Sequence, residues 1–208
     1  MRLDDLRDAY RGRCFILGTG PSLLQVTPAE REALGREYTF GCSRYWKWEN
    51  PIGLSFYVVA EQDHVTRMRE TGTSNAQASI ARFMLQFQPP QDDWIGLPVD
   101  KYRQTTVSQS GLGRYPYVHQ AVSETLIALQ VAVWMGFDQF YFLGNELTRV
   151  GEVWDPQERR HSSFGTVRPD FEMAARALDG RLLDCTPGGA LSSIMPFQAL
   201  SEVLEVKI

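Results

Sequence analysis

The chain predicts an α/β protein built on a doubly wound, mostly parallel sheet with helices on both faces. Three observations carry that expectation. Short apolar and aromatic runs recur along the 208 residues at intervals that leave room for helices between them. The first run, Arg13-Cys14-Phe15-Ile16-Leu17, stops at the small-residue turn Gly18-Thr19-Gly20-Pro21-Ser22. A helical stretch over residues 121–135 then leads through Gly136 straight into another apolar run, the helix-to-strand step of a wound sheet.

Taken in order, the first strand is expected at residues 14–18. Thr27-Pro28-Ala29-Glu30 reads as a capping box with proline at the first helical position, and Gly35 as the stop of that helix. Residues 38–42, 55–60 and 83–87 supply the second to fourth strands. The stretch 121–135 carries apolar residues at 122, 126, 129, 133 and 134, which predicts an amphipathic helix ending at Gly136 and feeding a fifth strand at 139–144. A further helix over 170–178, stopped by Gly180, leads to the sixth strand at 181–185. Two stretches fit the alternation poorly, 89–116 and 148–169. Loops of that length in a compact domain are commonly functional, and the second is expected to form a long lid-like loop. No repeat or linker interrupts the chain, so residues 1–208 are read as a single Rossmann-like domain.

At 43% hydrophobic and 22% charged residues the composition is that of a folded soluble chain with a sizeable core. A net charge of −4 and a pI near 5.4 supply no basic footprint for nucleic acid, so a nucleic-acid acceptor is the less expected partner. The charged start Met1-Arg2-Leu3-Asp4-Asp5-Leu6-Arg7-Asp8 predicts no signal peptide. No run approaches the ~20 apolar residues of a membrane span. Cys14, Cys42 and Cys185 lie far apart, each in or beside an apolar run, and read as buried free thiols with neither disulfide nor zinc cluster. A reducing, cytoplasmic setting is expected from them.

In a doubly wound sheet, ligands bind outside the carboxyl ends of the strands, and polar or glycine residues follow each strand here. After the first come Gly18, Thr19, Gly20, Pro21 and Ser22. Its glycines are expected to let a ligand approach the backbone, and its N–H groups to hold a phosphate at the start of a helical turn. Ser43 and Arg44 follow the second strand, and Glu61, Gln62, Asp63 and His64 the third. Asn145 and Glu146 follow the fifth, and Thr186, Pro187, Gly188 and Gly189 the sixth. Glu61 and Asp63 suit a divalent metal or a ribose, or complement a helix dipole as solvated carboxylates. His64 and His119 read as structural or exposed. His161, in Arg159-Arg160-His161-Ser162-Ser163-Phe164-Gly165, has the chemistry of a general base in a polar loop. Arg159 and Arg160 suit a phosphate or stand as a solvated pair.

In these motifs the chain resembles the 6-hydroxymethylpterin diphosphokinase-like domain family of unknown function, and its distant relatives, the Campylobacter-type bacterial sialyltransferases. Gly18-Thr19-Gly20-Pro21-Ser22-Leu23 is similar to that family's opening Gly-x-Gly-Pro-Ser-Leu. Thr39-Phe40-Gly41-Cys42-Ser43-Arg44-Tyr45 resembles its second strand, with serine at 43 in place of asparagine. Met135-Gly136-Phe137 and the strand to Gly144 resemble its Leu-Gly-Phe and Ile-Gly-x-Asp segment, with Glu146 at the aspartate. His161 resembles the sialyltransferase loop base. Ser123-Glu124-Thr125 stands where those enzymes have Thr-Ser-Gly, and Thr148 where they have a tyrosine that helps the leaving phosphate. Both departures point away from sialic acid as the donor sugar.

The resemblance implies a transferase. The leading expectation is a glycosyltransferase using a nucleotide-activated sugar, with His161 and Glu146 catalytic. Gly18, Thr19, Gly20, Pro21, Ser22, Ser43, Glu61, Asp63, Ser123, Asn145, Thr186 and Gly188 would bind the donor. No firm cofactor or metal ligand set is expected. An alternative, ATP-dependent pyrophosphoryl transfer to a pterin-like alcohol, requires Mg²⁺ held by Glu61, Asp63 and Glu146. A non-catalytic nucleotide-binding module is a further alternative. The partners expected are the nucleotide sugar and its acceptor, with homo-oligomerisation left open.

Overall fold

The computed structural model describes residues 2–60, 62–71, 78–86, 94–98, 123–148, 151–157 and 164–205. Seven strands form one parallel sheet: β1 (Arg13–Leu17), β2 (Tyr38–Cys42), β3 (Leu54–Val59), β4 (Ala78–Gln86), β5 (Trp94–Pro98), β6 (Gln139–Leu143) and β7 (Leu182–Asp184). Their spatial order is β5-β4-β3-β2-β1-β6-β7. All pairings among them are parallel, so every strand's carboxyl end lies on the same side. The chain winds outward from β1 to β5 and then crosses to β1's other side to place β6. This reversal makes a topological switch point between β1 and β6.

Strand alternation divides the core into two layers. Cys14 and Ile16 of β1 face a cluster with Leu3, Leu6, α3 (Glu124–Met135) and α4 (Phe164–Ala177). Phe15 and Leu17 face the opposite cluster, which holds Leu34 of α1 (Pro28–Leu34), Val65 of α2 (Gln62–Thr71), and Leu200 and Val203 of α5 (Leu200–Val203). Helices therefore cover both faces, as a doubly wound sheet requires.

The local signals behave as their chemistry dictates. Thr27 Oγ1 accepts from the Glu30 N–H, and a Glu30 carboxylate oxygen accepts from the Thr27 N–H at 2.8 Å, closing the capping box of α1. Gly136 ends α3 with φ +98°, and a Cβ there would lie 2.7 Å from the Tyr10 carbonyl. Glycine thus lets the chain reverse beneath the sheet and start β6 three residues later. Cys14, Cys42 and Cys185 are all buried and free.

Several expectations need correction. The 89–116 stretch contains the unanticipated strand β5, whose Gly96 and Pro98 are tolerated because it is an edge strand with β4 as its sheet neighbour. The fourth strand starts at Ala78, ahead of residue 83. The helix expected to be amphipathic is buried nearly all round, from Thr125 to Ala132 and again at Trp134 and Met135. It belongs to the inner layer and so carries no polar face. The helix expected at 170–178 begins at Phe164, which removes residues 164–169 from the expected lid-like loop. Pro169 disguised it, since proline usually marks a helix boundary. Among the described residues, no helix is long and apolar enough to cross a membrane.

Candidate functional site at the sheet switch point

The switch point opens into a cavity of about 340 Å³. The turns after β1 and β6 form its base, with Gly18, Thr19 and Gly20 on one side and Gly144, Asn145 and Glu146 on the other. Cys42 and Ser43 close it at the end of β2. The start of α3 contributes Ser123, Glu124 and Thr125, and α4 contributes Val167. Leu147, Thr148, Gly151 and Glu152 complete the wall.

The β1 and β6 turns are joined more tightly than the sequence suggested. The Gly18 N–H donates to the Leu143 carbonyl at 2.8 Å, and the Gly20 N–H to Gly144 at 2.9 Å, so pairing continues past the strands. Glu146 reaches back across this seam, and its Oε1 accepts from the Ser22 N–H at 2.6 Å. A Cβ at Gly18 would fall 2.2 Å from the Gly144 carbonyl oxygen, and one at Gly20 only 1.4 Å from Glu146 Oε2. The glycines therefore admit the neighbouring turn of the same chain. The amides expected to face a phosphate at Gly18, Gly20 and Ser22 have intramolecular acceptors. At the short 3-10 turn Pro21–Gln25, the anion at the N-terminus is the chain's own Glu146. Its other oxygen, Oε2, is buried without a hydrogen-bond partner, as is Ser22 Oγ. Pro21 and Ser22 lie behind the wall rather than in it.

Asn145 braces the same seam. Its Nδ2 donates to the Ile16 and Leu143 carbonyls at 3.2 and 3.1 Å, and its N–H donates to Thr186 Oγ1 at 3.2 Å. Both amide protons face carbonyl oxygens, so Oδ1 is the acceptor left towards the Gly18 side. The Thr186 N–H donates to Asp184 Oδ1 at 2.8 Å, and the Ala190 N–H to the Glu146 carbonyl at 3.0 Å. Thr186 thus supports the site from beneath, and Gly188 is exposed at φ +68°; neither lines the cavity. Burial holds the fully enclosed Asp184 carboxyl above the ordinary carboxylate range, and the Glu146 charge adds to this.

Ser43 sits at φ +56°, in the left-handed region that favours glycine and asparagine and is costly for serine. Tyr57 Oη donates to its carbonyl and the Ser43 N–H donates to Val58, which hold it there. At the start of α3, Ser123 Oγ and Thr125 Oγ1 share a hydrogen bond of 2.7 Å. Glu124 Oε1 accepts from the Ala60 N–H at 2.6 Å, tying the helix to the end of β3. Burial, and then the Glu124 charge, push the Cys42 thiol and the Tyr57 hydroxyl well above their usual values. The 151–155 turn is pinned by the Val153 N–H donating to Thr19 at 2.7 Å. It is also held by Lys47, whose Nζ lies 5.7 Å from the Trp46 ring and 5.6 Å from Trp154.

Of the expected residues, Gly18, Thr19, Gly20, Ser43, Ser123, Asn145 and Glu146 come together around the cavity. Asp63 is exposed in the first turn of α2 and does not line it. Glu61, His161, Arg159 and Arg160 lie outside the described residues. Among the described residues no three His, Cys, Asp or Glu side chains group as metal ligands. Cys42 and Gly144 were within reach of sequence reasoning, as strand-end neighbours of Ser43 and Asn145. Glu124 and Thr125 flank Ser123 in the same way. Gly151, Glu152 and Val167 carry no local signal, because wall and helix packing bring them in.

No protein-family model matches the chain, and no curated protein matches it in sequence. The resemblance to the diphosphokinase-like family therefore has no such match behind it. In three dimensions the chain is similar to the MAf glycosyltransferase of Magnetospirillum magneticum AMB-1, with a TM-score of 0.58 and 13% identity over 94% of this chain. It spans 34% of that protein, about a third of its length. It is also similar to the apo α-2,3-sialyltransferase of Campylobacter jejuni, with a TM-score of 0.54 and 15% identity. That likeness covers 90% of this chain and 80% of the other. What the chain shares with these two bacterial proteins is the fold: a wound α/β sheet.

Proposed function

We propose that this chain is a glycosyl-transfer domain that takes a nucleotide-activated sugar and delivers the sugar to an acceptor hydroxyl. The observation that carries the reading is the polar cavity at the β1–β6 switch point, where open α/β sheets bind their ligands. The shared fold with two bacterial glycosyltransferases supports it. In this reading Ser43, Ser123 and Thr125 offer hydroxyls to donor groups. Asn145 and Glu146 keep the β1 and β6 turns in register, so Glu146 is a positioning residue. The acceptor proton passes to His161 as the oxygen bonds to the anomeric carbon. The bond from that carbon to the nucleotide phosphate breaks at the same centre, and Arg159 and Arg160 meet the departing charge.

The test is thermal unfolding of the chain with CMP-, UDP-, GDP- and dTDP-sugars, each beside its free nucleotide and ATP. A donor at 100 times its Kd stabilises the native state by about 2.7 kcal/mol. Stabilisation by one nucleotide series, with slow hydrolysis of its sugar, is the expected result. Stabilisation by ATP alone would replace this reading with pyrophosphoryl transfer, and no response to any nucleotide would overturn both.

A further inference from the structure

Backbone strain gathers at the cavity. Among the described residues, five other than glycine stand in the left-handed region: Asp8, Ser43, Leu147, Asp179 and Glu205. Asp8, Asp179 and Glu205 are exposed, whereas Ser43 and Leu147 line the cavity. Ser43, at φ +56°, is where the chain leaves β2; Arg44 follows at φ −85° and ψ 19°, and the 3-10 turn Tyr45–Lys47 begins. Glycine or asparagine would take this conformation with less strain, so serine keeps a hydroxyl at the wall against a local preference. A strained residue persists only where its surroundings hold it, and such residues collect at ligand clamps. Two backbone contacts hold Ser43: its N–H donates to Val58 at 3.2 Å, and its carbonyl accepts from Tyr57 Oη. Both partners belong to the neighbouring strand β3. Tyr57 is fully enclosed, with its ring 5.9 Å from that of Trp94, and does not line the cavity. Burial raises its hydroxyl well above the ordinary value, so it stays a donor.

We propose that Tyr57 is a positioning residue for the nucleotide sugar: its hydroxyl holds Ser43 in the left-handed conformation from which the Ser43 hydroxyl bonds a polar group of the donor. The inference rests on the nucleotide-sugar reading above. Tyr57 itself touches no ligand and acts through the Ser43 carbonyl. A phenylalanine ring at 57 would keep the packing on Trp94 and lose only that hydrogen bond. Serine then relaxes towards φ < 0, which turns its Cβ and hydroxyl away from the donor. The donor loses one hydrogen bond in consequence, a loss of about three- to tenfold in affinity.

The test is calorimetric titration of the whole chain with CMP-sialic acid, UDP-glucose, GDP-mannose and dTDP-glucose, each beside its free nucleotide, below the Tm of every variant. Ser43→Ala removes the hydroxyl and is expected to weaken the bound donor about three- to tenfold; Tyr57→Phe is expected to weaken it at least about threefold. Because Tyr57 acts only through Ser43, the double variant Tyr57→Phe/Ser43→Ala should bind as Ser43→Ala does alone. Ser43→Thr keeps a hydroxyl but branches at Cβ, which disfavours positive φ, and should also lose at least about threefold. A folded Tyr57→Phe with lowered Tm but unchanged Kd would mark Tyr57 as merely structural and overturn the inference. So would losses that multiply in the double variant, an unchanged Kd for Ser43→Ala, or normal binding by Ser43→Thr; each leaves the nucleotide-sugar reading intact. Failure of every nucleotide sugar and free nucleotide to bind would overturn the parent reading and this inference with it. Should Tyr57→Phe fail to fold, Ser43→Thr set against Ser43→Ala still decides whether the held conformation is needed.

Discussion

Replacing Gly20 with alanine probes the contact between the β1 and β6 turns directly. The backbone at Gly20 is extended, at φ −77° and ψ 159°, so alanine fits it without strain. The smaller freedom of the unfolded chain even favours alanine, by about 0.4–1 kcal/mol. The new Cβ, however, would stand 1.4 Å from Glu146 Oε2 and 2.3 Å from its Cδ, so the carboxylate must leave. The Ser22 N–H then loses its 2.6 Å bond to a charged acceptor, a contact worth about 1.5–3 kcal/mol. The net cost is about 0.5–2.6 kcal/mol, or a fall of roughly 1–10 °C in Tm for a chain of this size. Glu146→Ala loses the same bond and empties the space beside residue 20. The double variant Gly20→Ala/Glu146→Ala should therefore be no less stable than Glu146→Ala alone. Urea unfolding of the four proteins measures the coupling between the two positions, expected at about 1.5–3 kcal/mol because both single variants lose the same bond. A neutral Gly20→Ala, or costs that add to within about 0.5 kcal/mol, would refute the proposed packing of the two turns.

Burial raises the Asp184 carboxyl, so the folded chain binds that proton more tightly than the unfolded chain. Stability contributed by this group therefore falls as pH rises from the ordinary carboxylate value through the raised one, and is level above it. Asp184→Asn keeps an acceptor for Thr186 and should lose that part of the Tm–pH profile, matching or exceeding the parent at pH 7; an identical profile would refute the assignment. Asn145→Asp sets carboxylate oxygens against the Ile16 and Leu143 carbonyls, and should cost about 3 kcal/mol or more in urea unfolding, with partial recovery on acidification. Undiminished stability at pH 7 would show that Asn145 does not brace the seam. His161→Ala should lower kcat roughly 10²–10⁴-fold with donor affinity little changed, as measured by sugar transfer. A near-normal kcat would remove His161 as the base.

Much of the fold was legible because its causes are local. Apolar runs such as residues 13–17 and 139–143 must be buried on both faces, and a two-faced core needs helices on both sides of the sheet. The capping box at Thr27 and the stop at Gly136 depend on neighbours a few residues away. Residues following β1, β2 and β6 could be placed near one another because parallel strands share an end. The edge strand β5 and the early start of α4 were hidden, since Gly96, Pro98 and Pro169 break local propensity where edge position or packing tolerates them.

The purpose of the first turn was decided only by the tertiary structure. A glycine in sequence signals a close approach but not what approaches. At Gly18 and Gly20 it is Gly144 and Glu146, more than a hundred residues away along the chain. The set of carboxylates around the cavity has the same origin. Among the described residues, Glu124, Glu146 and Glu152 arrive there from a helix, a strand end and a loop. No spacing in the chain encodes that meeting, because it follows from the return of β6 to the side of β1.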